Sequence, residues 1–298
     1  MLEIKKFAAI DIGSNAIRLL VSNIIIEDDK EPQFKKSSLV RVPIRLGTDA
    51  FVSGVISQEN VARMIDAMEA FKLIMKVHDV EKYKACATSA MREAKNCEHV
   101  VKSVFDKTGI QIDVIDGKKE AAIIFSTDLS ELIENDQSYL YVDVGGGSTE
   151  FTLFSKGRII KSKSFRMGTV RLLSNTKAEN KAKFKEVQEW VETNTKNIKK
   201  ISLIGSGGNI NKLFKMSGRT LGKPISYIYL NAQYQFLKNM SYQERISELS
   251  LNPDRADVII PATKIYLSAM KWSGARKIFV PKIGLSDGII KSLYNNLL

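Results

Sequence analysis

Cysteine and histidine are scarce in this 298-residue chain, two of each. Cys86 and Cys97 have neither metal-ligand nor redox spacing, and His78 and His99 are too isolated for a histidine metal centre. No apolar run approaches the ~20 residues of a membrane span. Asp11 interrupts the run that begins at Phe7, so neither a membrane partner nor a signal peptide is expected. Proline is limited to six residues, and no linker rich in Pro, Gly or Ser divides the chain. The phosphate-loop pattern G-x-x-x-x-G-K-[ST] is absent too. What is present is 44% hydrophobic and 26% charged, the composition of a globular protein, at a length that suits two domains. Thiols without spaced partners fit a reducing cytoplasm.

Charge is unevenly spread. The formal net charge is +12, and Ser155 to Lys223 holds 17 Lys and Arg against 4 Glu. A basic surface gathers polyanions and speeds their capture. Few aromatics interleave this stretch and it carries no nucleic-acid motif, so no specific nucleic acid is expected. A general richness in Lys, Asn and Ile is the competing account of the same bias.

Two glycine-rich stretches carry the chemistry. An apolar run, Tyr139 to Val144, holds one acid, Asp143; Gly145, Gly146, Gly147 and Ser148 follow, then Glu150 and a second strand-like run, Phe151 to Phe154. This reads as a β-hairpin with its tight turn at Gly145–Ser148. Glycines let backbone N–H groups approach a ligand and converge on phosphate oxygens. A carboxylate on each arm, Asp143 and Glu150, suits a hard divalent cation. The N-terminus repeats the pattern about 130 residues earlier: the strand Phe7–Ile12 with Asp11, then Gly13, Ser14 and Asn15, then a return strand Ile17–Ile26 with Arg18 near its start. Facing each other across a cleft, two such hairpins would clamp a polyphosphate from both sides.

The remaining pattern is α/β. In the first half, strands are expected near 39–46, 83–87 and 110–115. Helices are expected at 57–77, at 88–107 with Gly109 as the stop, and from Lys118 or Lys119 to about Ile133. In the second half, strands are expected at 139–144, 151–154, 158–165, 201–204 and 277–280. Helices are expected at 181–198, after the Gly205–Asn209 turn to about Met216, at 253–272 and at the C-terminus, with 223–250 irregular or in short helices.

Six segments occur in a telling order: Asp11-Ile12-Gly13-Ser14-Asn15, Ala87–Ala94, Ile115–Ala121, Asp143-Val144-Gly145-Gly146-Gly147-Ser148-Thr149-Glu150, Met167–Leu172 and Arg255–Ile259. Together they resemble the exopolyphosphatase and guanosine pentaphosphate phosphohydrolase family, within the actin, sugar kinase and Hsp70 superfamily. The resemblance spans nearly the whole chain. It implies two ribonuclease H-like, actin-like ATPase domains with mixed sheets flanking a central cleft. The first would cover 1–125, completed by a C-terminal helix at about 283–298, and the second 126–282. Longer members continue into a helical domain of the HD type, so this chain reads as a short, two-domain member.

The resemblance also assigns roles. Glu120 opens a helix, whose N-terminus favours its charged form and equips it to orient or deprotonate water. A plain complement to the helix dipole is the alternative, and the resemblance makes Glu120 the catalytic base. Arg92, one turn into the helix begun at Thr88-Ser89, matches a phosphate-contacting arginine; a surface ion pair with Glu93 is its alternative. Asp143 and Glu150 match the Mg²⁺ ligands. Gly13, Ser14, Asn15 and Arg18 are expected to bind phosphate, as are Gly145, Gly146, Gly147 and Ser148. Gly207 and Gly208, in Gly205–Asn209, resemble a loop that touches adenosine in the wider superfamily. A strand–turn–helix of this kind also binds phosphate, and tight packing is the alternative. Lys163, Arg166 and Arg171 are expected to track a longer anion, and Arg255 to pair structurally with Asp257, with a phosphate contact as the alternative. The chain departs from the family at Ala16, at Lys118-Lys119, at Gly208 and at Ser286-Asp287, without loss of Glu120, Asp143 or Glu150.

The expected activity is Mg²⁺-dependent release of terminal phosphate from inorganic polyphosphate. Guanosine pentaphosphate hydrolysis by the same residues is the nearest alternative. An ATP-dependent small-molecule kinase, or a sensor that binds polyphosphate or alarmone without turnover, are the others. A homodimer stays open.

Overall fold

The structure is a computed structural model that describes residues 2–127, 137–156 and 158–298. In chain order the elements begin with β1 (Leu2–Ile12), β2 (Ile17–Glu27), β3 (Gln33–Val42), α1 (Leu46–Val52), α2 (Gln58–Val77), β4 (Lys82–Ala87), α3 (Ser89–Glu93), α4 (Cys97–Thr108), β5 (Ile112–Val114) and α5 (Gly117–Phe125). Then follow β6 (Ser138–Val144), β7 (Thr149–Ser155), β8 (Arg158–Phe165), α6 (Thr169–Ser174), α7 (Lys177–Thr195), β9 (Ile201–Ser206) and α8 (Gly208–Met216). The last are β10 (Ile225–Ser226), α9 (Tyr227–Asn239), α10 (Tyr242–Ser247), α11 (Pro253–Ala256), α12 (Ile259–Ser273), β11 (Lys277–Phe279) and α13 (Leu285–Tyr294). They form two compact units, Met1–Thr127 with Gly284–Leu298, and Asp128–Ile283.

In the first unit the sheet order is β3-β2-β1-β4-β5. The first three strands run antiparallel, and β4 and β5 lie parallel to β1 and to each other. The central strand β1 buries every residue from Phe7 to Ile12. Helix α2 starts where the Ser57 side chain accepts from Asn60 N–H, and it buries Val61, Met64, Met68, Phe71 and Met75. Helix α13 comes from the far end of the chain to pack on α5, β1, β2 and β4. Asp287 on α13 pairs with Lys36 on β3 at 2.7 Å, and the Ser126 and Ser292 hydroxyls lie 3.1 Å apart. At the crossing, a Cβ on Gly288 would fall under 3.0 Å from the Ile123 carbonyl, so the helices approach to backbone contact.

The second unit has a mixed sheet of the same plan, β10-β11-β9-β6-β7-β8. Again three antiparallel strands, β6 to β8, are followed by strands parallel to the first, β9 and β11. Strands β6 and β7 are buried almost throughout, whereas β8 is an edge strand exposed from Arg158 to Ser164. Its Lys161 and Lys163 discourage edge-to-edge pairing. Helix α12 buries Ile259, Ala262, Ile265, Tyr266, Ala269 and Met270. Its hydrophobic surface serves one core while β1 serves another.

Local expectations and structure part in several places. The helix expected at 88–107 is two, α3 and α4, because Ala94 is extended. Lys95 N–H donates to Gly54 O (2.8 Å) and the Asn96 amide makes two bonds to the Ile56 backbone (2.9 and 2.8 Å), which pull the chain out of helical geometry. The expected helix at 253–272 is likewise split into α11 and α12. The strand expected near 39–46 lies earlier, at 33–42, and its end turns into α1. Helix α7 begins at 177 rather than 181, set by a capping box between Thr176 and Glu179. Helix α6 was not expected at all. The part of the α5 helix expected beyond 127 lies outside the described residues.

Gly288→Ala should lower stability by about 1–3 kcal/mol through overpacking. A urea midpoint unchanged from wild type would show that the α5–α13 crossing yields easily.

Candidate active site

Each unit places one acid–glycine turn at the end of its central strand, and the two turns are built alike. In the first, Asp11 faces Arg18 and Ile12 faces Ile17 across β1 and β2, and Gly13 N–H closes onto Ala16 O at 3.1 Å. In the second, Asp143 faces Glu150 and Val144 faces Thr149 across β6 and β7, and Gly145 N–H closes onto Ser148 O at 3.0 Å. The four-residue turns Gly13–Ala16 and Gly145–Ser148 are therefore equivalent. So are Asp11 and Asp143, and so are Arg18 and Glu150.

The first unit gathers its expected site residues around the turn. Asp11, only 5% exposed, takes a 2.8 Å ion pair from Arg18. The Ser14 and Ser89 hydroxyls are 3.0 Å apart and join the turn to α3. Thr88 N–H, just before α3, donates to Ile12 O at 3.1 Å. One turn into α3, Arg92 donates from Nη1 to Ile115 O at 2.6 Å and lies 3.9 Å from Glu120 Oε2. Glu120 is thus an ion-pair partner of Arg92. Asp116 caps α5 by accepting from Lys119 N–H (2.7 Å). That bond leads the causes that hold the Asp116 carboxyl below its ordinary range. Glu120 follows in the first turn of α5 at 9% exposure. A buried carboxylate with a guanidinium alongside can orient a polar group that enters next to it.

In the second unit, Glu150 is 3% exposed and its Oε1 accepts from Ser148 Oγ (2.7 Å) and Ser164 Oγ (2.8 Å). Asp143 pairs in register with Ser206 on β9. After Ser206 the chain turns at Gly207 with φ +112°, and a Cβ there would come within 3.5 Å of Asp143 Oδ1 and 3.0 Å of Val144 O. Gly207 and Gly208, the start of α8, thus lie beside the second turn. Tyr266 OH donates to Ser206 O. Burial first, then the charge of Asp143, pushes the Tyr141 and Tyr266 phenols well above their ordinary range, so both stay neutral.

Residues 26–297 match the profile of the Ppx/GppA phosphatase family. The chain belongs to that family. It is 32% identical over 300 residues to the bifunctional 3-dehydroquinate synthase/phosphatase of Fusobacterium nucleatum, covering 92% of this chain and 44% of that protein, so it spans less than half the length of that relative. It is 25% identical over 318 residues to exopolyphosphatase 2 of Mycobacterium tuberculosis, covering 97% and 98% of the two chains. The crystal structure of an exopolyphosphatase from Cytophaga hutchinsonii superposes with a TM-score of 0.86 at 24% identity over 98% of both chains. The Ppx/GppA fold, two α/β units with mixed sheets, has the α/β architecture expected from the motifs. As a Ppx/GppA member the chain is a phosphoanhydride hydrolase.

For a Ppx/GppA enzyme the donor set around Asp143 decides which cation fits. Directly opposite side chains of an antiparallel pair share one face, so the two carboxylates are neighbours. Among the described residues no group of three or more His, Cys, Asp and Glu is placed to hold a metal. Two carboxylates and no nitrogen or sulfur suit Mg²⁺, which keeps several waters and takes the rest of its shell from phosphates.

Of the cations expected to track a longer anion, Arg171 directs Nε into the turn itself, to Gly147 O at 2.9 Å. Lys163 is held by Glu186 at 3.5 Å and lies over the Phe165 ring at 4.5 Å. Sequence reasoning gave no role to Ser89 and Ser206, although both lie in named motifs, and missed Ser164, a single hydroxyl on an edge strand. It also missed Gly47, although Arg45-Leu46-Gly47-Thr48 repeats as Arg166-Met167-Gly168-Thr169. Among the described residues no helix is long and apolar enough to cross a membrane.

A double-mutant cycle on Asp11→Asn and Arg18→Met should give a coupling of about 1–3 kcal/mol, since removal of either partner alone leaves the other without its ion pair. Additive urea-denaturation energies would show that the pair contributes little.

Proposed function

We propose that this chain is a Mg²⁺-dependent exopolyphosphatase that releases the terminal phosphate of inorganic polyphosphate. One observation carries the reading. At equivalent positions of two equivalent turns, the first unit sets Arg18 against Asp11, and the second sets Glu150 against Asp143. Two adjacent carboxylates call for a cation, and a glycine turn with converging N–H groups calls for an anion. A metal-bound polyphosphate meets both demands.

In this mechanism Glu120 orients water and accepts its proton. Arg92, fixed by Ile115 O, holds Glu120 in place and offers positive charge to the phosphoryl oxygens. In each unit the turn N–H groups, with the Ser14 hydroxyl in the first and the Ser148 hydroxyl in the second, bind phosphate oxygens. Asp143 and Glu150 would hold Mg²⁺, which when bound supplies charge neutralisation of the phosphate oxygens. Positioning and electrostatics carry most of such a transfer. The exposed Arg158 and Lys161 on β8 favour a long polyanion over guanosine pentaphosphate. The curated exopolyphosphatase relative that aligns end to end supports the same choice. A cytoplasmic setting belongs to this reading.

Phosphate release from long polyphosphate, tripolyphosphate, guanosine pentaphosphate and ATP, with and without Mg²⁺, tests it. Polyphosphate should be the best substrate and Mg²⁺ required; preferred turnover of guanosine pentaphosphate would reassign the substrate. Glu120→Gln should bind polyphosphate but lose ~10²–10⁴ of kcat, and a rate within about threefold of wild type would remove Glu120 from the mechanism.

Asp143→Asn and Glu150→Gln should each shift the Mg²⁺ titration to markedly higher concentration, a neutral oxygen being the weaker ligand. Glu150→Gln keeps an amide Oε1 for the Ser148 and Ser164 hydroxyls, so its urea midpoint should stay near that of wild type. Unchanged titrations in both variants would place the metal elsewhere.

A further inference from the structure

Two glycines outside the proposed chemistry sit against the two turns. In the second unit, α6 begins on the glycine turn. Thr169 N–H donates to Gly145 O (3.0 Å), and Val170 and Arg171 N–H donate to Gly146 O (2.8 and 3.1 Å). Arg171 Nε–H donates to Gly147 O (2.9 Å), and Gly145 N–H to Ser148 O (3.0 Å). Every carbonyl oxygen of the turn Gly145–Ser148 is thereby occupied. The N–H groups of Gly146, Gly147 and Ser148 meet no acceptor among the described residues, although Gly147 and Ser148 are buried. A planar peptide with its carbonyl fixed on one side presents its N–H to the other. Buried N–H groups without acceptors are rare in folded proteins, and successive ones in a glycine turn suit an anion.

Gly168 makes this approach. Its φ of −113° and ψ of 168° are open to any residue, so the requirement is space rather than conformation. A Cβ on Gly168 would fall under 3.0 Å from Gly146 C and O and from Gly147 N, backbone atoms that cannot swing aside. The first unit repeats the device. Gly47 N–H donates to Ser14 O at 2.8 Å, and a Cβ on Gly47 would come to 2.9 Å from Ser14 Cβ and 2.7 Å from Phe51 Cε2. Both glycines stand third in the repeated tetrapeptide, and in each sheet that tetrapeptide follows the third strand, β3 or β8.

We propose that Gly168, Arg171 and Gly47 are positioning residues. They seat a helix start on each turn, hold its carbonyls, and so aim its N–H groups at phosphate oxygens. This rests on the reading of the turns as phosphate-binding.

The test is tripolyphosphate binding to the full chain by calorimetry, with urea midpoints alongside. Binding by wild type is required first; its absence would refute the phosphate-binding reading itself. Gly168→Ala and Gly47→Ala should then each weaken Kd by about tenfold, the equivalent of one lost hydrogen bond to a charged group. Arg171→Gln should weaken tripolyphosphate and long polyphosphate by the same factor. Gly274→Ala, at a helix end with φ +74° and open space around it, strains the fold and should leave Kd unchanged. Folded Gly168→Ala and Arg171→Gln proteins that bind like wild type would overturn the proposal. So would an equal loss in Gly274→Ala, which marks general destabilisation, or an Arg171→Gln loss confined to long chains, which marks direct tracking. If Gly168→Ala fails to fold, Arg171→Gln and Gly47→Ala decide on the same criteria.

Discussion

An ionised carboxylate at the end of a buried central strand is a liability that both units are built to meet. Burying a charge is costly unless something of opposite sign lies beside it. In the first unit the answer is internal, since Arg18 is one register step across the hairpin from Asp11. In the second the corresponding position carries Glu150, which adds negative charge and gathers hydroxyl donors from Ser148 and Ser164. One hairpin design therefore serves two ends. The self-neutralised turn is complete in itself, and the doubly acidic turn is suited to a cation that arrives with its substrate.

The rest of each unit serves to hold these turns at their strand ends. Parallel strands β4 and β9 flank the acid-bearing strands, and the helices that follow them begin beside the turns. This is why Thr88, just before α3, and Gly208, at the start of α8, occupy comparable places, though one carries a hydroxyl and the other no side chain. The duplication is plain in topology and faint in sequence, where only the acid–glycine turn and a four-residue echo survive.

Much of this was legible in the chain itself. The two turns showed because glycine, acid and hydroxyl recur in one order between alternating apolar runs, and β6 and β7 lie close to where those runs put them. Arg92 and Glu120 were each placed near a helix start, at Thr88-Ser89 and at Lys118 or Lys119, and the structure adds their 3.9 Å approach. The misses have tertiary causes. The break between α3 and α4 depends on Asn96 reaching Ile56, 40 residues away, and no local propensity records that. Helix α6 is too short for periodicity to reveal, and its start is fixed by the carbonyls of a distant turn. The bond from Arg171 Nε to Gly147 O was not legible either, because a cation near a strand end has no signature that separates backbone support from ligand contact.

Helix α13 has a bearing on how the molecule is made. It fills a place against α5, where Ser126 and Gly288 meet although 162 positions separate them. A ribosome releases the strands and helices of the first unit long before it releases this last piece, and domains ordinarily mature in the order of their synthesis. Here the earlier unit waits with an open flank on the emerging polypeptide until the later one has been translated. Such long-range closure slows folding, and for that interval the apolar face awaiting α13 is the part of the nascent chain most in need of a chaperone.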